Sequence, residues 1–419
     1  AAQAATADGL KVMIVESRGY LGGNLTIGLP ILSYLGRKGN QIIKGLPQKF
    51  IDRLRERGAA SDHRPCQLHV SLTIINPDEA KRVAFEIMEK CGVEVLLYTF
   101  TVDAIREGNE VKGVIVESKA GREAILAKCV IDCTGDGDYA ARAGAPTEFG
   151  NPRTGRVQPS TLFFHINNVD SRLLERDVES KLHTFRKIDG VSHRALHWHV
   201  LKAVENGDWD ISRRSVNIYK GVRDDEWAVN TTRIARVDAT SSEDLTRGEI
   251  EGRRQVKMVM DFFHKYVPGC KNATLKCTGS TLGIRESRHI LGDYVLQVDD
   301  LLNGVVSDDA VLVASNSVDV HGRLSDNSTE YITVQNGRWY GVPYRTLVPQ
   351  VVDNLLVAGR ALSATSDAAG AVRVMPPCMA MGQAAGVAAA LAVKGGTTPR
   401  KVDPLHLRKV LLENGVFLG

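Results

Sequence analysis

Several residues in this chain have the types and spacing that chemistry needs. His321, in the string Asp319-Val320-His321-Gly322, falls in a turn between two strand-like stretches, where an imidazole can act as general acid or base. A histidine held by structural hydrogen bonds is the alternative. Arg285, Arg288 and Arg345 can bind a carboxylate or polarise a carbonyl. Paired with Glu286 and Asp293, they serve equally as ion pairs between domains. Cys378 sits at a predicted helix start, where the dipole lowers a thiol pKa, so a redox or covalent role competes with plain packing. His193, His197 and His199 read H-x-x-x-H-x-H; on a helix the first two share a face and the third does not, which sets zinc against a solvated helix rich in Arg and Trp.

A second group concerns phosphates and sugars. Gly135-Asp136-Gly137-Asp138-Tyr139-Ala140 has G-x-G-x-x-A spacing after a predicted strand and before a predicted helix. It is a poor phosphate cradle, because Asp136 and Asp138 would set carboxylates beside phosphates and repel them. Acids there suit ribityl or ribose hydroxyls better. Glu16 ends a strand that follows a helix, the place where an acid accepts both hydroxyls of an adenosine ribose; solvation of a strand end is the plainer reading. Gly22-Gly23 is either an ordinary turn or backbone passing close to a cofactor.

These residues need elements to hold them. Small residues 1–7 read as a helical end, turning at Asp8-Gly9 into an apolar strand over 11–15. Asn76, Pro77 and Glu79 start an amphipathic helix that Gly92 stops. A strand over 93–98 precedes three short strands, 102–106, 111–118 and 123–127, punctuated by Gly108-Asn109 and Ala120-Gly121: a meander. An apolar strand over 129–133 leads through the Gly/Asp turn to a small-residue helix ending near Gly144. Near the other end, 355–358 is a short buried strand, and Pro376-Pro377 starts a helix that Gly395-Gly396 ends. Its face of Ala380, Gly382, Ala385, Gly386 and Ala389 lets something flat approach closely. The two chain ends thus look like parts of one nucleotide-binding domain.

Composition sets the limits. The 419 residues, 43% of them hydrophobic and 39 of them Gly, suit two interleaved domains rich in tight turns. A net charge of +4, without a dense Lys/Arg run, argues against a nucleic-acid partner. The longest apolar stretch, 384–393, is short of the roughly 20 residues of a membrane span. Seven cysteines, an odd number, are read as reduced packed thiols of a cytoplasmic protein.

Together these segments carry a resemblance. "VMIVESRGYLGGN", "VEVLLYTFTVDAI", "AKCVIDCTGDGDYAARAGAP", "LGIRESRHILGDYVL", "DVHG", "VPYRTLVP" and "NLLVAGRALSATSDAAGAVRVMPPCMAMGQAAGVAAALA" resemble, in this order, the FAD-dependent oxidoreductase family. This is a bacterial group that shares the two-dinucleotide-binding, glutathione-reductase-like flavoprotein fold with fumarate reductase flavoproteins. The likeness covers about two thirds of the chain and is loose over 151–265. It implies an α/β fold: a Rossmann-like FAD-binding domain, parallel sheet plus β-meander, from residues 1–150 and 346–419, with an inserted α+β substrate or cap domain over 151–345. It places a first strand and G-x-G-x-x-G loop ahead of Ala1.

The resemblance also implies site roles. Glu16 looks like the adenosine-ribose acid, with Ser17 and Arg18 beside it; Gly22, Gly23 and Asn24 look like the loop along pyrophosphate and flavin. Val102 looks like the adenine-edge residue, and Thr134, Gly135 and Asp136 like the turn flanking the cofactor. Gly359 and Arg360 look like the strand end leading to the ribityl chain. Met375, Cys378, Met379, Gly382 and Gln383 look like the helix start aimed at the flavin pyrimidine, where a helix N-terminus favours reduced-flavin charge by about 1 kcal/mol. The implied activity is hydride transfer between a small organic substrate and N5 of a noncovalent FAD, with His321, Arg285 and Arg345 as catalytic candidates and no metal. The electron acceptor stays open, and the reading leaves room for a homo-oligomer. The rival is a flavin-binding electron-transfer or structural subunit, against which the lack of Cys clusters for iron–sulfur centres counts.

Overall fold

The computed structural model describes residues 1–7, 9–66, 69–188, 191–322, 328–334 and 339–419. Asp8, half of the first expected turn, lies outside the described residues. The fold is mixed α/β. It contains two parallel strand pairs: Met13–Val15 beside Glu94–Leu96, and Val130–Asp132 beside Leu355–Val357, with Asp132 opposite Val357. No strand pairing joins the two pairs among the described residues. The meander is a three-stranded antiparallel sheet of Phe100–Glu107, Glu110–Ser118 and Gly121–Leu126.

Local chemistry sets the helix that leads into the first pair. The side chain of Asn76 accepts the amides of Asp78 and Glu79 at 3.0 and 3.1 Å, which satisfies two of the four orphan donors at the start of Pro77–Lys90. Gly92, with φ +66°, then reverses the chain where a side chain would be strained.

The long helix Met375–Lys394 organises the main core. It is longer than the apolar stretch expected from sequence. By length and hydropathy it would qualify as a membrane span, yet 78% of its apolar window is buried inside the protein, so its apolarity is that of a core helix. The small-residue face receives the Ala2–Thr6 helix: a Cβ on Gly386 would collide with the Ala1 carbonyl and come 2.7 Å from the Ala4 Cβ. What lies flat against that stripe is therefore protein.

A separate core gathers residues 162–284. Its antiparallel sheet runs in the order Asn217–Lys220, Trp227–Asn230, Phe164–Asn167, Thr274–Thr278. The long helix Ser242–Tyr266 covers it, and Gly252 allows the approach, since a Cβ there would sit 2.9 Å from the Leu162 Cβ. Leu296 and the stretch from Leu301 to Val348 contribute side chains to the main core with Met375–Lys394.

Two local expectations are corrected. His193 ends the strand Val191–His193 and His197 starts the helix His197–Glu205, because Leu196, in the left-handed region, breaks the chain between them. Their rings meet edge-on at 5.6 Å, His199 pairs with Asp177 at 2.9 Å, and no metal-binding group of three occurs among the described residues. His321 lies at the end of the strand Val318–His321 rather than in a turn, opposite Thr329.

Candidate functional site

The Gly135 turn is built by one buried carboxylate. Asp132, at the end of its strand, accepts the amide and hydroxyl of Thr134 at 2.8 and 2.7 Å through one oxygen, and the amide of Ala140 at 2.9 Å through the other. That folds the loop back onto the start of the helix Asp138–Arg142. Gly135 has φ +86°, and a Cβ there would strike the guanidinium of Arg360, which lies over it. Arg360 in turn pairs with Asp136 at 2.6 Å. Arg288 donates to the Asp136 carbonyl at 2.9 Å and pairs with Asp138. The two acids that looked hostile to phosphate are thus each matched by an arginine. Burial, with the Asp136 charge adding to it, still raises the Asp138 carboxyl above its ordinary range.

The start of Met375–Lys394 faces the same region. Val374 caps it without a side-chain bond, so its first amide is uncapped by protein side chains. Cys378 lies there, bonded to the carbonyls of Val372 and Arg373 at 3.8 and 3.3 Å. Burial pushes its thiol up to about 12, against Arg360 and Arg373 pulling down. Of the two readings of Cys378, activated thiolate or packed thiol, this burial favours the packed thiol.

Arg373, just ahead of the helix, turns inward. Its guanidinium donates to Gln158 Oε1 at 3.1 Å and to the Asp319 carbonyl at 3.3 Å. Gln158 Oε1 also accepts the His321 amide at 3.2 Å, while its Nε2 and the Nε of Arg373 are buried without partners among the described residues. His321 is buried, with Nε2 3.2 Å from the Asp319 carboxylate and Nδ1 2.9 Å from Thr329 Oγ1. Burial lowers the imidazole to about 3, and Arg285 and Arg233 add to that against the pull of Asp319. Burial opposes ionisation of Asp319, but His321 and Arg373 hold its carboxyl below the usual range. The pair is therefore a neutral imidazole beside a carboxylate.

Arg285 belongs to this chamber. It donates to Thr161 Oγ1 at 2.7 Å and the Pro159 carbonyl at 2.5 Å, and burial together with Arg373, Arg213 and Arg233 lowers it to about 9. Arg213 donates to the Asn230 carbonyl at 2.9 Å, and Arg233 to the Ser328 carbonyl at 2.9 Å. A small cavity of about 20 Å³, room for roughly one water, lies between Arg194, Arg213, Arg233, Thr329 and Tyr331.

Other expected residues lie apart from this chamber in the bonds they make. Arg345 is half exposed, paired with Asp309 at 2.9 Å and stacked on Tyr294. Asp293 pairs instead with Arg400, whereas Glu286 does touch the chamber, accepting the Gln158 amide at 2.9 Å. Glu16 accepts the Arg18 amide at 3.0 Å and the Ser17 hydroxyl at 3.3 Å, and sits at the end of the other parallel pair. Gly22 and Gly23 have φ +104° and +51° and open the short turn of helix Gly23–Thr26 that contains Asn24; a Cβ on Gly23 would meet nothing within 4 Å, nor would one on Gly359. Val102 sits where the pairing of its strand shifts register, a bulge. Met375 and Met379 pack on the core of residues 25–87, Gln383 accepts the Leu46 amide at 2.9 Å, and Gly382 faces the Ala1 nitrogen.

Sequence reasoning passed over Asp132, Gln158, Asp319, Thr329 and Arg373. Asp319 and Arg373 stand inside quoted motifs, so their type was visible; Gln158 and Thr329 carry no local signal, since only long-range packing brings them to His321.

Known proteins resemble the chain at two levels. The family profile described as FAD dependent oxidoreductase matches residues 1–411. No curated protein sequence matches. A geranylgeranyl bacteriochlorophyll reductase-like protein from Thermoplasma acidophilum is 13% identical at TM-score 0.41, covering 99% of this chain and 80% of its own. The p-nitrophenol 4-monooxygenase of Pseudomonas putida DLL-E4 is 13% identical at TM-score 0.41, covering 98% and 81%. CabE, an aromatic hydroxylase from angucycline biosynthesis, is 11% identical at TM-score 0.47, covering 100% and 66%. The assignment rests on the sequence match to the family: this chain belongs to the FAD-dependent oxidoreductases, and FAD is its cofactor.

Proposed function

We propose that the chain transfers a hydride between a small organic substrate and FAD where the start of Met375–Lys394 meets His321. One observation carries this reading. Arg373 directly precedes the uncapped helix start and its side chain reaches Gln158 and Asp319, the two residues that hold His321. Cofactor end and proton-handling end are thus joined by one side chain.

The residues fit the cofactor in three places. The open backbones at Gly23 and Gly359 leave room for a close approach, and the helix start offers an uncapped amide to a developing negative charge. Arg360, whose Nε is buried without a partner, lies over the Gly135 turn as a donor. We assign Glu16, Ser17 and Arg18 to the adenosine end, Val102 to the adenine edge, and Thr134, Gly135, Asp136 and Arg360 to the ribityl and pyrophosphate stretch. Gly382 is less suited, because Ala1 fills the space before it. When bound, FAD supplies a hydride acceptor or donor at N5.

In this reading the glutathione-reductase-like domain is formed by 1–150 and 346–419, and 151–345 forms the substrate part, its own core confined to 162–284. His321 handles the proton at Nδ1, where Thr329 Oγ1 now lies at 2.9 Å. With Asp319 ionised, the proton on Nε2 faces the carboxylate and fixes the ring, as in other carboxylate–imidazole pairs. Arg345, paired at the surface, has no part in it.

The test is anaerobic. The purified protein is expected to show oxidised-flavin absorbance, and a substrate that bleaches it should bleach the Arg373→Met variant at least about 100-fold more slowly, the loss of about 2.7 kcal/mol of transition-state stabilisation. Bound flavin that a broad set of candidate substrates never reduces would favour the flavin-binding subunit instead.

A further inference from the structure

We infer that the arginine chamber beside His321 binds a carboxylate of the substrate, so that the substrate is a small organic acid. This rests on the proposed placement of the reaction at His321.

Like charges are brought together here, Arg233 buried and Arg194, Arg213, Arg285 and Arg373 half-buried. Arg194, Arg213 and Arg233 line the small cavity, and Arg285 and Arg373 stand around the Asp319–His321 pair next to it. A folded protein gathers guanidinium groups in a low-dielectric site only when anions offset their repulsion. Arg194, Arg213 and Arg285 have no carboxylate within 4.0 Å among the described residues, and Arg373 reaches that of Asp319 only at 4.0 Å. Arg213 and Arg285 spend their bonds on carbonyl and hydroxyl oxygens, which leaves the remaining N–H groups of each fork for another acceptor. The lowering of Arg285 to about 9, caused by burial and then by its cationic neighbours, agrees with a site short of negative charge.

Hydrogen-bond vacancies point the same way. Gln158, only 3% exposed, has its Nε2 buried without a partner, and so does Arg373 its Nε. Both are donors, and both belong to residues that touch the His321 strand. Donors without acceptors, beside Arg194, Arg213 and Arg285 with no carboxylate in reach among the described residues, describe a receptor for an oxyanion. The cavity of about 20 Å³ lies among these donors, and a planar carboxylate demands less room there than a tetrahedral phosphate. Forked guanidinium donors match a carboxylate's two oxygens.

The experiment uses the full chain and reads binding rather than turnover. Thermal unfolding is followed with succinate, its uncharged diamide, inorganic phosphate, or sodium chloride at matched ionic strength. Succinate is expected to raise the midpoint in a saturable way, the diamide and chloride not at all, and phosphate at least tenfold more weakly. Arg194→Gln and Arg213→Gln should each weaken succinate at least tenfold, whereas Arg247→Gln, on the exposed face of Ser242–Tyr266, should bind like the parent. Arg194 has the advantage that it makes no side-chain hydrogen bond or ion pair among the described residues that the variant would lose. Equal stabilisation by phosphate, no stabilisation by succinate, or unchanged binding in both chamber variants would overturn the inference. Flavin absorbance recorded in the same samples reports separately on the cofactor reading, so a flavin-free protein that binds succinate, or a flavoprotein that does not, tells the two failures apart.

Discussion

The protonation state of His321 has a measurable signature in stability. The imidazole is buried and faces Asp319 on its own strand, Thr329 and Tyr331 on the neighbouring strand, and Arg285, Arg233 and Arg373 from other segments. Its folded pKa of about 3 lies below the ordinary 6.5. A depressed histidine binds its proton less readily folded than unfolded, so its contribution is complete above pH 6.5 and is lost as pH falls toward 3. Integrated from pH 6.5 down to pH 5, the loss is about 2 kcal/mol, since stability falls by about 1.4 kcal/mol for each pH unit over which the unfolded chain alone takes up the proton. Asp319 titrates below this window and does not contribute to it. Urea unfolding of the parent and of His321→Gln at pH 7 and pH 5, with the slope m held common, isolates this group from the other buried histidines. The variant is less stable at pH 7, and the gap should narrow by about 2 kcal/mol at pH 5. A gap that stays constant, or widens on acidification, would mean an imidazolium paired with Asp319 and would refute the neutral dyad.

Other outcomes follow from single contacts. Gly386→Leu should cost about 2–3 kcal/mol by urea unfolding, because the side chain meets the Ala1 carbonyl and the Ala4 Cβ; helix propensity alone would have made it stabilising. Asp132→Asn should cost about 2 kcal/mol and weaken FAD in a fluorescence titration, since an amide cannot accept from Thr134 and Ala140 at both ends; an unchanged flavin affinity would separate that turn from the cofactor. Arg345→Ala should change stability by at most about 1 kcal/mol and leave flavin reduction rates intact, as befits a half-exposed pair. Cys378, pushed up to about 12, should resist iodoacetamide at pH 8 in a peptide-mass map, while Cys277, whose thiol is also raised but which is exposed, is labelled.

Sequence alone determined the pieces whose signals are local. Asn76-Pro77-Asp78-Glu79 carries its cap within four residues, the meander its own turns, and the turn after Cys133 its glycines, because caps and turns are decided by neighbours in the chain. The family was legible for the same reason: its motifs are short and contiguous. The strand position of His321 was missed because its pairing to Thr329 joins segments that share no local pattern. Likewise the small-residue stripe of Met375–Lys394 announced a close neighbour but not its identity, since any flat or small surface satisfies it; only packing showed Ala2–Thr6 there. The chamber is the extreme case. Arg194, Arg213, Arg233, Arg285 and Arg373 are spread over 180 positions, each unremarkable where it stands. Their meaning is the charge they concentrate together, and charge density is a property of distance in space, which the tertiary structure alone decides.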